Sequence, residues 1–279
     1  MNAVALSPRN LMKSFREARQ SRSILSRVRE YRHFISLSLE TEDFILRTIE
    51  HPSDLLKVLQ LRHEVFVKEW QGRKAFHRLD VDEYDFQADH LVIIDKKSRA
   101  IVGTYRLICS RFTDDFYSAT EFSFDDFRAI PGTKLELGRA CVKAEYRNGP
   151  IIDLLWRGLA KYIQLSHSRY MFGCSSVKST DPKLVSNLFA EFKAQDQWSP
   201  EFNVQPLDHY QFPEFDPAQG RRLTPQERRD SVPTLLRTYF SAGARVYGEP
   251  ALDRDFACAD LFTILDISQL NAKFRTRYF

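Results

Sequence analysis

The sequence is poor in the features that announce common functions outright. Its four cysteines, Cys109, Cys141, Cys174 and Cys258, lie far apart and form no C-x-x-C pair. Such spacing suits neither a disulfide framework nor a zinc site, and it agrees with a reducing compartment. Cys141 lies in an apolar stretch, where a thiol is more often a small buried hydrophobe than a nucleophile. The seven histidines show no H-x-x-x-H spacing, so no metal site is expected. No apolar run approaches the roughly 18 residues of a spanning helix. The first residues lack the h-region of a signal peptide, so secretion is not expected and the chain is expected in the cytoplasm. No internal repeat is present. What is there is 43% apolar and 28% charged residues over 279 positions, enough for one large domain, with or without an extension.

The net charge of +4 is unevenly spread. Residues 1–35 carry eight Arg/Lys against Glu17 and Glu30, so this segment holds +6 and the rest of the chain −2. Leu11, Met12, Phe15, Ala18, Leu25 and Val28 fall largely on one helical side. A basic amphipathic segment of this kind suits an anionic membrane surface, and a solvated extension reads equally well; nucleic acid is the weaker reading of the arm. Residues 1–41 are therefore read as a basic N-terminal extension.

From about residue 42 strand-like and helix-like segments alternate. Phe44–Ile49 reads as a strand and Ser53 as the cap of a helix through Asp54–Trp70. His90–Asp95 and Ile101–Cys109 read as a hairpin. The stretch Lys134-Leu-Glu-Leu-Gly-Arg-Ala-Cys-Val142 reads as a buried strand, followed by a helix from Ile151 to about Ser166 with Pro150 at its start. A strand over 170–177, a helix over 181–192, a helix over 231–242 stopped by Gly243, a strand over 261–267 and a short basic helix complete the chain. Residues 195–230 are polar and proline-bearing and read as an inserted loop. This mixture argues for an α/β layered fold.

The 134–142 strand carries Glu136 and Arg139, charges that are costly inside a sheet unless paired or used. Residues three apart point to opposite faces of a regular strand, so they meet only across a bulge, for which Gly138 is a natural position. The loop and helix start that follow form a generic phosphate-holding device, with Arg147 and Gly149 just ahead of the first turn.

The chain from about residue 42 resembles the GNAT superfamily, in the branch that takes acyl groups from acyl carrier protein. Arg147-Asn-Gly-Pro-Ile-Ile152 stands where that superfamily has R/Q-x-x-G-x-G/A; it keeps the arginine and lacks both glycines, which fits one pantetheine phosphodiester better than a pyrophosphate. Leu61-Arg-His-Glu-Val-Phe66, Trp70, Asp82-Glu-Tyr-Asp85, Gly103-Thr-Tyr-Arg106 and Glu136-Leu-Gly-Arg139 resemble the pattern of acyl-homoserine-lactone synthases. Asp89-His90-Leu91, Pro233–Gly243, Val246–Ala251, Asp253, Phe256 and Asp260 are more similar to the bacterial ornithine lipid synthases, the hemolysin-like ornithine Nα-acyltransferases. The resemblance implies a GNAT-like α/β domain over residues 42–279: a mixed, mostly antiparallel sheet flanked by helices, with a central strand splayed for the acyl-pantetheine arm. It implies transfer of a 3-hydroxylated fatty acyl group from acyl carrier protein to the α-amine of ornithine, with acyl-4'-phosphopantetheine as donor substrate and no resident cofactor.

Amide formation needs a neutral amine, a polarised carbonyl and a protonated leaving thiol. Glu136 is the candidate base, with Arg139 orienting it or the acyl carbonyl. Ala140, Cys141, Val142, Arg147, Asn148, Gly149, Ile151 and Ile152 are the candidate donor-binding residues. Arg62, Asp82, Asp85, Asp89, Arg106, Asp253 and Asp260 are the candidate acceptor-binding residues, because a diamino acid calls for carboxylates and its α-carboxylate for an arginine. A buried ion-pair network joining helix to sheet, an ordinary solvated loop for the aspartates and a structural role for His90 are the alternatives. Other readings of the function are acylation of glycine or lysine, lactone synthesis, or a silent acyl-binding module at the membrane. A lytic protein is disfavoured.

Overall fold

A computed structural model describes residues 23–72, 78–147 and 149–279. Residues 23–30 form helix α1; β1 (Ser38–Glu40), β2 (Phe44–Thr48) and α2 (Pro52–Arg62) follow, and α2 runs on as a wider π-type helix over His63–Trp70. Next come β3 (Asp89–Asp95), β4 (Ile101–Cys109), β5 (Phe122–Ser123), α3 (Asp125–Ala129) and β6 (Thr133–Val142). The second half holds α4 (Gly149–Ser166), β7 (Ser168–Val177), α5 (Pro182–Ala194), β8 (Trp198–Ser199) and β9 (Gln205–Pro206). It ends with α6 (Pro225–Ser231), α7 (Thr234–Ala242), β10 (Arg245–Tyr247), β11 (Ala251–Asp253), β12 (Cys258–Asp266) and α8 (Ala272–Tyr278).

One sheet runs β1-β2-β3-β4-β6-β7-β12-β10-β8, with β11 beside β12 and a separate β5–β9 pair. Its neighbours are antiparallel except β6–β7 and β8–β10. The β6–β7 pairing is short: it covers Thr133 to Glu136 against Ser168 to Phe172 and then stops, while β6 stays on β4 and β7 stays on β12. From Leu137 onward the two central strands part, and a cleft opens between them.

Strand alternation divides the side chains between two cores. Tyr105, Leu107, Leu135, Leu137 and Met171 join Trp156 and Tyr239 under helices α4 and α7. On the other face Ile108 and Phe172 join a cluster rich in phenylalanine, with Phe116, Phe124, Phe127 and Phe262. Gly173 stands where the strands separate. A Cβ there would lie 2.3 Å from the Leu137 carbonyl oxygen, so only glycine lets the two backbones pass this closely.

Several element ends differ from the sequence-based expectation, for local reasons. The first long helix begins at Pro52, with His51 rather than Ser53 at its cap, because proline fits the first turn. The expected 231–242 helix begins later, as α7 at Thr234; Ser231 instead ends α6, and Pro233, which cannot continue the hydrogen-bond ladder, stands between the two. The 195–230 segment is not simply a loop: β8 extends the sheet edge, β9 pairs with β5, and Arg222 and Arg228 reach buried Glu191. Nor does a structural boundary fall at residue 41. Val28 and Tyr31 are buried, β1 pairs with β2, and the Tyr31 hydroxyl donates to the Ala88 carbonyl at 3.1 Å. Residues 1–22 of the basic segment, and Asn148, lie outside the described residues.

Gly173→Ala is expected to destabilise the protein by about 1–3 kcal/mol, because the added methyl meets a backbone oxygen rather than a mobile side chain. Calorimetric melting should show a midpoint several degrees lower; an unchanged midpoint would mean that the two strands separate without strain.

Candidate active site

The cleft between β6 and β7 opens into a cavity of about 250 Å³. Its wall on the α4/α7 side is apolar, built from Tyr105, Leu137, Met171, Leu236, Tyr239 and Leu265. The opposite side carries the chemistry: Arg106, Tyr117, Glu121, Glu136, Arg139 and Asp260. Asp253 and Phe256 also line it.

Glu136 is 2% exposed and faces this polar side. The short 3₁₀ turn Tyr117–Thr120 presents two backbone donors to it: Tyr117 N–H to Oε2 at 2.8 Å and Ser118 N–H to Oε1 at 2.6 Å. Burial raises the carboxyl above the ordinary glutamate value, against these hydrogen bonds and the nearby Arg106. A carboxylate has about four lone-pair positions, so two remain for another donor.

A β-bulge does occur beside Gly138. Arg106 pairs with Gly138 and Thr104 with Cys141, so β6 carries one extra residue there, and Arg139 takes a left-handed φ of 51°. The bulge does not bring Arg139 to Glu136. Arg139 Nη2 donates to Asp82 at 3.1 Å, with Asp80 3.7 Å from its Nε. It belongs to a buried alternating network of three arginines and three aspartates. Arg62 pairs with Asp80 at 2.7 Å and with Asp85, and Arg106 pairs with Asp82 at 2.5 Å and Asp85 at 3.2 Å. Burial works against ionised Asp82 and Asp85, and the facing arginines still hold both carboxyls below their ordinary range. The Nε–H groups of Arg106 and Arg139 have no hydrogen-bond partner among the described residues.

The remaining expected residues divide clearly. Arg62, Asp82, Asp85 and Asp89 do not line the cavity. Asp89 is a brace: it accepts from Phe34 N–H at 2.8 Å, Ile35 N–H at 2.9 Å and the Tyr162 hydroxyl at 2.8 Å. His90 is fully buried and held neutral by burial, which lowers it to about 4; its Nε2 lies 2.9 Å from the Asp85 carbonyl. Ala140 lines the cavity, whereas Cys141 is buried and its thiol is pushed up to about 12 by burial, which leaves it a packing residue. Val142 pairs with Gly103, and its carbonyl accepts from Arg147 Nε at 2.9 Å. Arg147 also forms a two-pronged pair with Glu69. Gly149 opens α4; Ile151 and Ile152 pack into the core beneath it.

Sequence reasoning missed Glu121, Tyr117 and the aromatic wall. Glu121 is 1% exposed and neither of its carboxylate oxygens has a hydrogen-bond partner. Burial first, then Asp260, push it well above the ordinary range. Asp260 itself is pushed up to about 6, by burial and by Asp253, against a hydrogen bond from Ser176. Asp253, Cys258 and Asp260 offer ligand atoms within 4.8 Å of one another. As a metal site the set fits poorly, because burial keeps the Cys258 thiol protonated and it already donates to Asp260 at 3.6 Å.

Residues 61–157 match the family described as acetyltransferase (GNAT) domain. The chain is 32% identical over 238 residues to the L-ornithine N(alpha)-acyltransferase of Brucella abortus (strain 2308), covering 78% of this chain and 83% of that protein. The chain belongs to the L-ornithine Nα-acyltransferase family. The Rhodobacter capsulatus member is 30% identical over 231 residues, with 78% and 88% coverage. Among solved structures the acyl-homoserine-lactone synthase LasI aligns over 85% of this chain and 94% of its own at 13% identity, with a TM-score of 0.47. The protein is thus an N-acyltransferase of the GNAT superfamily, and the mixed sheet with its parted central strands is the fold expected for this family.

Removing one charge from the network should be costly. Asp85→Asn leaves Arg62 and Arg106 short of a counter-charge and is expected to cost about 3–5 kcal/mol. Asp82 and Asp85 are depressed in the folded protein, so their contribution is present above the ordinary carboxylate pKa of about 3.9 and is lost as pH falls through their lower folded values. Denaturant unfolding at several pH values should therefore show a shallower acid decline for Asp85→Asn than for the wild type. Equal acid slopes would place the linkage elsewhere.

Proposed function

We propose that the chain transfers a fatty acyl group, 3-hydroxylated as in ornithine lipids, from acyl carrier protein to the α-amine of ornithine. The observation that carries this reading is the cavity itself: an apolar wall and a buried glutamate at the gap between β6 and β7, in a chain of this family. The acyl-pantetheine arm enters the gap along β6, where backbone groups no longer paired with β7 are available to polarise the thioester carbonyl. Glu136 takes a proton from the α-ammonium. The amine nitrogen then bonds to the carbonyl carbon, the C–S bond breaks, and the sulfur leaves as a thiol on receiving a proton. One amide, one thiol and one released proton result. The α-carboxylate is read by the guanidinium groups of Arg106 and Arg139, which line the cavity, rather than by Arg62, which lies away from it.

A lipid product favours action at a membrane. Among the described residues no helix is long and apolar enough to cross one. Phe34 and Phe112 stack at 4.5 Å while both remain exposed, and Arg111 stands over Phe112. With the basic segment 1–22 this supports peripheral association with an anionic, cytoplasm-facing surface.

Expression in a bacterium that lacks aminolipids should yield lyso-ornithine lipid in mass spectra of the lipid extract; no acylated amino acid, or an acylated amine other than ornithine, would refute the acceptor. Glu136→Gln is expected to lower turnover of the folded enzyme by about 10²–10⁴-fold. The amide nitrogen must face Tyr117 or Ser118 N–H, so a loss of about 1–3 kcal/mol in stability should accompany it. Because only ionised Glu136 accepts the proton, wild-type kcat/KM should rise with pH along a limb above the ordinary glutamate range. Persistence of this limb in Glu136→Gln would assign the base to another group. The donor is checked separately: acyl carrier protein should be preferred to acyl-coenzyme A, with rates that fall as salt rises.

A further inference from the structure

Two groups of three acidic residues stand near the polar side of the cavity, one behind its arginines and one on its wall, and they differ in how they are paired. Asp80, Asp82 and Asp85 are each matched by arginine. Glu121, Asp253 and Asp260 are 1%, 6% and 3% exposed, line the cavity, and have no Lys, Arg or His partner among the described residues. Their remaining contacts are weak substitutes for a cation. Asp260 accepts from the Ser176 hydroxyl at 2.5 Å and the Cys258 thiol at 3.6 Å. Asp253 Oδ1 accepts from Asp255 N–H at 2.8 Å and Phe256 N–H at 2.9 Å, which leaves Oδ2 free of them. Neither oxygen of Glu121 has a hydrogen bond of regular geometry among the described residues; Tyr117 and Cys174 are the nearest donors, and neither carries a charge. A buried carboxylate with no partner is costly, and a cluster of three is more so, unless a ligand brings the missing charge.

We propose that Glu121, Asp260 and Asp253 form the subsite for the second ammonium group of the acceptor, the one on its side chain, and thereby select a diamino acid over a neutral one. The inference rests on the amino-acid acceptor reading and extends it. Glu136, Cys174, Glu121, Asp253 and Asp260 all line the same cavity, and the Cys174 thiol feels Glu121, Asp260 and Glu136 together, so the acidic group shares the cavity with the base. An amino acid bound with its α-amine at Glu136 and its carboxylate at Arg106 and Arg139 would extend its side chain along that wall. An ammonium group there finds oxygen acceptors on all three side chains, and its charge favours ionisation of the carboxyls that burial holds protonated.

The test compares L-ornithine with L-norvaline, which has the same carbon chain without the terminal amine. It is run in the presence of a chelator, on the full chain and on Glu121→Gln and Asp260→Asn, with acyl transfer and ligand-induced melting shifts as separate readouts. Wild type should favour ornithine by at least about 10²-fold in kcat/KM, and ornithine alone should raise the melting temperature. Either variant should shrink that preference by about tenfold or more through the ornithine KM, with a smaller change for norvaline, and should weaken the melting shift that ornithine produces. A preference unchanged in both variants, or an equal fall with both acceptors, would overturn the subsite. If ornithine shifts the melt through Glu121 but no acyl-ornithine forms, the subsite stands and the proposed reaction fails. Acylation of norvaline but not ornithine would sink both. A melting shift produced by Mn²⁺ or Zn²⁺ alone, lost in Asp260→Asn, together with activity abolished by the chelator, would make the cluster a metal site and overturn the proposal.

Discussion

A guanidinium buried in a sheet is stable only if carboxylates replace the water it has lost. Here Arg62 comes from a helix, Arg106 and Arg139 from neighbouring strands, and the three aspartates that answer them from one short loop. The pairing is alternate, so no member can be removed without stranding two others. The loop is thereby fixed across the open end of β4 and β6, and Asp82 tightens it further by capping its own turn at Tyr84 N–H. Arg139 reaches the network only because the bulge turns it away from the regular strand direction. The polar wall of the cavity follows from this arrangement. Arg106 and Arg139 stand still because both are tied to aspartates of the loop.

Across the same cavity the electrostatic situation reverses. The acidic group around Glu121 has been left uncompensated inside a fold that compensates its other buried charges carefully. Burial raises Glu121 and Asp260, which means that ionising them opposes folding as pH rises through their ordinary values. Conformational stability is thus lower than an apolar cavity of the same shape would give, a pattern expected where a surface is complementary to a ligand rather than to itself.

The strand at residues 134–142 was legible because two charges interrupt an apolar run, and Glu136 does face the cavity. Its relation to Arg139 was not legible, since pairing depends on what Asp80 and Asp82 offer from far along the chain. Asp85 and Asp89 look alike in sequence, yet one balances two arginines and the other ties residues 34–35 and Tyr162 together. Glu121 carried no signal: it sits between Thr120 and Phe122 at the end of a 3₁₀ turn, and no periodicity separates it from a surface glutamate. The π-type continuation of α2 was equally hidden, because over two turns its side-chain spacing hardly departs from that of an ordinary helix. Main strands and helices followed from alternation and proline placement, whereas the short strands within 195–230 owe their existence to partners elsewhere in the sheet.

The sheet is best regarded as two antiparallel plates joined along a thin line. Four paired positions hold β6 to β7, compared with eight between β7 and β12. The crossover helix α4 packs on β2 and β3 of one plate and on β7 of the other, and so spans the line between them. If the plates rotate relative to each other, those four backbone pairings and side-chain links such as Trp70 to Phe256 are at stake, while each plate keeps its own ladder. A molecule with a long acyl tail can then be released sideways through the widened line, with no need to thread it lengthwise back through the cavity.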